Sequence, residues 1–231
     1  LTSSYLDHPV LPQLEEALRH RWPFVPEEVT VVDGAMDALD RIAQVVVRLG
    51  DRVIVEHPTF PPLLDLLEKI GADVIGVEVD AQGMNVEALT AALEQKPTAL
   101  FLQPRAQNPT GVTMSAQRAK HIADAIVASG HSESITIIED DHAGDIAVGE
   151  LNSIGNYLPT RTVHIRSYSK SHGPDLRLAV VGGAGDVISA AANRRLLGPG
   201  WSSRILQAVL LELLDDHATL ESLSHARAEY S

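Results

Sequence analysis

Ser167-Tyr168-Ser169-Lys170-Ser171-His172-Gly173-Pro174-Asp175-Leu176-Arg177 places one lysine directly after the apolar, β-branched run at 162–165. Two serines flank the lysine, and an arginine follows seven residues later. A strand that ends in such a turn presents an amine, two hydroxyls and a guanidinium together. That set suits a nucleophile held beside an anion, because a planar guanidinium pairs two oxygens at once. It also suits an open α/β sheet, where ligands bind beyond the carboxyl ends of the strands.

The rest of the chain has the same grammar. Short apolar runs at 29–32, 52–56, 73–78, 98–103, 134–139, 162–165 and 178–182 read as strands. They alternate with helical patterns at 11–20, 36–49, 59–70, 85–94, 115–129, 186–197 and 203–216. The strands are continuously apolar rather than alternating, as expected when helices cover both faces of a sheet. The predicted fold is therefore an α/β three-layer sandwich (α/β/α) around a mainly parallel, seven-stranded sheet. Four further strand ends carry polar or glycine-bearing clusters: Asp33-Gly34-Ala35-Met36, His57-Pro58-Thr59-Phe60, Asn108-Pro109-Thr110-Gly111 and Asp140-Asp141-His142.

Composition narrows the function classes. With 45% hydrophobic and 21% charged residues, the chain is of ordinary globular type, and 231 residues suffice for one sizeable domain. A formal net charge of −13 argues against this segment gripping nucleic-acid phosphates itself. The absence of cysteine excludes disulfides and thiolate metal sites. Ten histidines invite a metal reading, but none forms a His-x-x-x-His or His-Glu-x-x-His pattern, so no metal is expected. There is no Gly-x-Gly-x-x-Gly dinucleotide fingerprint and no apolar run of membrane-spanning length. The default expectation is a cytoplasmic protein. The first residue is Leu1, and 220–231 reads as an amphipathic helix with no closing Gly or Pro, which predicts a piece of a longer protein.

Of only four lysines, Lys69 lies near a helix end, Lys96 precedes a proline and Lys120 sits on a polar helix face, so Lys170 stands alone at a strand end. An amine that attacks an aldehyde must shed its proton, and partial burial would help. Pyridoxal phosphate supplies both an aldehyde and a phosphate, which match the lysine and its anion-binding neighbours. Each residue also has an ordinary reading. Lys170 by itself could be a solvated loop lysine, Arg177 a surface partner of Asp175, and Asp140 with Asp141 a turn or helix cap.

The Lys170 stretch resembles the pyridoxal phosphate lysine signature of the fold-type I (class I/II) aminotransferases. It is similar in particular to the aminotransferase-like domain of MocR-type GntR regulators. The likeness starts near Tyr5-Leu6-Asp7 and covers nearly the whole chain. It implies that residues 1–231 form the cofactor-binding large domain, with the small C-terminal domain lying outside the chain. In the family the lysine forms an internal aldimine with pyridoxal 5'-phosphate and then moves a proton as base and acid. Lys170 takes that place here. The resemblance gives the cofactor phosphate to Ser167, Ser169, Arg177 and the helix start Gly34-Ala35-Met36, with Tyr5 reaching the phosphate of a partner subunit. It gives ring stacking to Phe60, the ring nitrogen to Asp140 and the phenolic oxygen to Asn108. His142 stands where the family usually has tyrosine, whose hydroxyl also meets that oxygen. The turn Gly198-Pro199-Gly200-Trp201-Ser202-Ser203 resembles a substrate-side loop. A homodimer acting on, or sensing, an amino acid or 2-oxo acid is implied. The alternative is the effector domain of a transcription regulator that meets DNA only through a separate N-terminal domain.

Overall fold

The computed structural model describes residues 8–229. Its elements in chain order are α1 (Pro12–His20), β1 (Glu28–Val32), α2 (Ala35–Val46), β2 (Arg52–His57), α3 (Pro61–Ile70), β3 (Asp73–Asp80), β4 (Gly83–Met84), α4 (Val86–Leu93), β5 (Ala99–Leu102), α5 (Ala116–Ala128), β6 (Thr136–Asp141), β7 (Thr162–Ser167), β8 (Ala179–Gly183), α6 (Gly185–Arg195), α7 (Arg204–Leu213) and α8 (His217–Glu229). The sheet order is β1-β8-β7-β6-β5-β2-β3-β4. It has eight strands rather than the seven expected. The additional strand is the two-residue β4, which pairs antiparallel with the end of β3 and is too short to leave a periodic signal. Pairs β2–β3, β2–β5, β5–β6 and β6–β7 are parallel, while β8 runs antiparallel to both β1 and β7.

Strand alternation sorts side chains into two cores, one on each face. Val53, Val55, Phe101, Ile138, Ile165 and Val181 pack with Leu39 and Ile42 of α2, Leu67 of α3 and Ile188 of α6. On the opposite face Ile54, Leu100 and Ile137 pack with Leu89 of α4 and Ile122 of α5. Further along that face Val29, Val31 and Val180 meet Leu14 of α1 and Leu210 of α7. The three-layer reading thus holds, and both faces of the central strands are dry.

Local chemistry explains the helix starts. Asn85, Ser115 and Ser203 are N-caps whose side chains accept the backbone N–H three residues on. Pro61 opens α3, where its missing N–H costs nothing. The terminal helix α8 begins earlier than expected, at His217, and is less amphipathic than its pattern suggests, since only Leu223 is buried among its described residues. The turn 198–203 joins α6 to α7 and is tied to the end of β1. Ser202 Oγ donates to Asp33 Oδ1 at 2.6 Å, and Arg195 Nη2 donates to Asp33 Oδ2 at 2.8 Å.

Candidate active site

The carboxyl ends of β1, β2, β5, β6 and β7 lie along one edge of the sheet. Because β8 is antiparallel, its entry at Arg177 lies at the same edge. A cavity of about 240 Å³ opens there, lined by Ala35, Met36, Leu39, Phe60, Gln103, Asn108, Asp140, His142, Ser167, Ser169, Lys170 and Arg177. Ten of the residues singled out in the sequence meet in this one space. Gly34 stands directly behind it, and Tyr5 lies outside the described residues.

The backbone shapes the anion-binding side. Gly34 has φ +105 and precedes α2, which has no side-chain N-cap. A Cβ at Gly34 would come within 3.0 Å of Arg177 Nη2, so glycine lets the guanidinium lie against the helix start. Arg177 itself adopts a left-handed conformation (φ +47), unusual for a residue with a side chain. That strain turns the side chain back to the cavity, and Arg177 makes no ion pair among the described residues, with Asp175 or any other acid. The first turn of α2, Arg177 and the two serines therefore form one cluster of donors.

Asp140 and Asp141 have opposite fates because successive side chains of β6 point to opposite faces. Asp141 is wholly buried on the α4/α5 face and accepts two hydrogen bonds from Arg105, each 2.8 Å. Burial pushes its carboxyl up, but the hydrogen bonds and charge of Arg105, with His164 and Arg166, outweigh this and hold it low. Asp140 faces the cavity. Its Oδ2 accepts from Gln103 Nε2 at 2.9 Å, and its Oδ1 is buried without a partner. Burial pushes the Asp140 carboxyl up, opposed by the Gln103 hydrogen bond and the charge of Lys170. An orphaned, desolvated carboxylate oxygen is placed to receive a protonated ring nitrogen.

Sequence reading missed the support beneath Asp140. Gln103 is a hub: its N–H donates to Glu56 Oε2 (2.9 Å), its amide nitrogen to Asp140, and its Oε1 accepts the N–H of Asn108 (2.7 Å). Burial raises the Glu56 carboxyl to about 8, against hydrogen bonds from Gln103 and Gln107. The one local clue was an acid inside the apolar run of β2. Phe60 lines the cavity and also packs against the α2/α3 core.

Lys170 differs from expectation in its exposure. It sits in the turn beyond β7, as the sequence placed it, but its stem is open to solvent and not half-buried. Its Nζ lies 2.6 Å from His142 Nδ1, and His142 Nε2 lies 2.9 Å from the Ala106 carbonyl oxygen. Both His142 nitrogens thus have protein partners. Among the described residues no cluster of three or more His, Cys, Asp or Glu could hold a metal, and no helix is long and apolar enough to cross a membrane.

Known proteins match this architecture. The profile described as aminotransferase class I and II matches residues 2–230. The vitamin B6 salvage pathway transcriptional repressor PtsJ of Salmonella typhimurium is 34% identical over 98% of this chain and 53% of its own length. Aminotransferase swnA of Metarhizium robertsii is 32% identical over 84% of this chain and 42% of its own. The fold superposes on the Thermus thermophilus aspartate aminotransferase solved with maleate at a TM-score of 0.85, with 24% identity, covering 96% of this chain and 60% of that one. The chain spans about half the length of the curated relatives it matches. A shared profile across the whole chain, a shared fold and the lysine-centred cavity agree, and the chain belongs to the class I and II aminotransferase family, whose members depend on pyridoxal phosphate.

Proposed function

We propose that this chain is the cofactor-holding large domain of an aminotransferase-like protein, with Lys170 as the covalent anchor for pyridoxal 5'-phosphate. The observation that carries this reading is the cavity beyond the sheet edge, where an amine, a donor cluster, an aromatic face and an orphaned carboxylate oxygen converge. When bound, the cofactor supplies an aldehyde for amine attachment and a ring that draws electrons from the attached carbon. This chain's residues do the holding. Arg177, Ser167, Ser169 and the N–H groups of Ala35 and Met36 bind the phosphate, and Gly34 gives it room. Phe60 covers the ring, Asn108 donates to its phenolic oxygen, and Asp140 keeps its nitrogen protonated. Lys170 also moves a proton to and from the amino acid or 2-oxo acid ligand. Because family sites lie between subunits, the full protein is a homodimer in this reading, and Tyr5 reaches the partner's phosphate. The remaining ligand contacts come from a small domain outside residues 1–231.

The match to PtsJ over nearly the whole chain favours one further specification: that the intact protein is a transcription regulator sensing this ligand. A DNA shift assay on the intact protein, with and without cofactor, tests it, and catalytic turnover without DNA binding overturns it. The cofactor reading is tested by mixing the protein with pyridoxal phosphate, reducing with borohydride and mapping peptides, for wild type and Lys170→Ala. With only four lysines the label is easily placed. Label on Lys170, lost in the variant with a visible absorbance band, is the expected result. Label spread evenly over Lys69, Lys96 and Lys120, or none in a folded protein, overturns the reading.

A further inference from the structure

We propose that His142 is the positioning residue of Lys170: a neutral imidazole, locked in one tautomer by the Ala106 carbonyl, that accepts a hydrogen bond from the lysine amine. The proposal rests on Lys170 being the functional amine of this site, and it assigns position 142 to the lysine instead of to the cofactor's oxygen.

Tautomer follows from partners. A carbonyl oxygen only accepts, so His142 Nε2, 2.9 Å from Ala106 O, carries the ring proton. In the neutral ring Nδ1 is then a bare acceptor, and Lys170 Nζ at 2.6 Å fills it as donor. A second observation is independent of these distances. Ala106 is one of three described non-glycine residues with positive φ (+46), and its N–H is held by Thr113 Oγ1 at 3.3 Å. A side-chain-bearing residue in this region costs about 1–3 kcal/mol and persists where its surroundings over-determine it. Here the strained residue is the one whose carbonyl keys the imidazole.

The surroundings explain why the lysine needs a holder. Lys170 is exposed, its side chain has four rotatable carbons, and His142 is its one recorded hydrogen-bond partner among the described residues. The pair also forms the wall shared by two cavities. One is the 240 Å³ site described above, and the other is a space of about 390 Å³ lined by small and apolar residues such as Gly111, Ala143, Ile146 and Val148. An untethered amine at that wall could swing to either side. The Nδ1 contact holds it at the boundary, within reach of the donor cluster and Asp140.

The test compares two variants of opposite character. His142→Asn keeps an acceptor close to the Nδ1 position, whereas His142→Phe keeps the ring and removes the acceptor. Two readouts are followed in folded protein: ¹⁵N NMR of the His142 ring, and acylation of the four lysines by acetic anhydride, with Lys69, Lys96 and Lys120 as internal references. The expected ring signature is the Nε2–H tautomer. Losing the acceptor frees the amine from its hydrogen bond, so Lys170 in His142→Phe acylates about threefold faster relative to the references, the equivalent of one ordinary net hydrogen bond. His142→Asn stays near wild type. A purely structural role would reverse this order, with Phe tolerated and Asn disruptive. That reversal, an Nδ1–H tautomer, or equal Lys170 reactivity in all three proteins overturns the proposal. Cofactor labelling of Lys170 is measured separately. Label on Lys170 with unresponsive acylation sinks the His142 role alone, whereas responsive acylation without cofactor label sinks only the cofactor reading.

Discussion

Glu56 offers the sharpest quantitative handle, because it is an acid buried beneath the site with no ion pair among the described residues. Its carboxyl sits at about 8 in the fold against an ordinary value of 4.5, chiefly through burial. The folded state therefore holds a proton that the unfolded chain releases earlier. Stability is full below pH about 4.5 and falls as pH rises toward 8, where the folded protein finally ionises too. Each pH unit in that window costs about 1.4 kcal/mol, so going from pH 6 to pH 8 removes about 2–3 kcal/mol through this one group. Glu56→Gln keeps an oxygen to accept the Gln103 N–H and removes the titration. Urea unfolding at pH 6, 7 and 8, followed by the fluorescence of Trp22 and Trp201, measures the difference. The variant should gain on wild type steadily with pH and end about 2–3 kcal/mol ahead at pH 8, relative to their difference at pH 6. A gap between the two proteins that does not change from pH 6 to pH 8 would refute the argument that burial controls this carboxyl. Because Asp140 adds to the upward push, Asp140→Asn should end the Glu56 loss at a lower pH and flatten the curve, though less than Glu56→Gln does.

Two other perturbations follow from the same geometry. Arg105→Met leaves Asp141 buried without its hydrogen-bonded cation, so unfolding free energy should drop by about 3–5 kcal/mol, and Arg105→Met with Asp141→Leu should recover much of it. Both are read by urea unfolding, and a loss below about 1 kcal/mol in the single variant contradicts the pair's assigned role. Asp141 is held low, so its stabilising share is present above the unfolded carboxylate range and is lost only as pH falls through its folded value. Gly34→Ala forces a side chain into φ +105 and against the Arg177 guanidinium. Pyridoxal phosphate affinity, measured by fluorescence titration, should weaken about tenfold or more while the fold survives. Unchanged affinity would remove the helix start and Arg177 from the phosphate assignment.

Much of the architecture was legible because it is local. Apolar runs without alternation mark strands covered on both faces, and Asn85, Ser115 and Ser203 mark helix starts one residue before the observed bounds. Lys170, Arg177, Asn108 and Phe60 stood out because each follows or precedes a strand end, and an open α/β sheet gathers those ends on one edge. Tertiary structure was needed wherever partners come from distant segments. The choice between Asp140 and Asp141 turned on which face of β6 looks into the cavity and on Arg105, 36 residues away, taking the other acid. Gln103 and Glu56 carry no motif, and their importance comes from meeting across β2, β5 and β6 in a dry interior. His142 could be read in the chain only as a departure from tyrosine. Its partners, Ala106 and Lys170, lie 36 and 28 residues away, and only the folded turn brings them to hydrogen-bond distance. Periodicity and caps are properties of neighbours in sequence, whereas charge pairing, burial and tautomer are properties of neighbours in space.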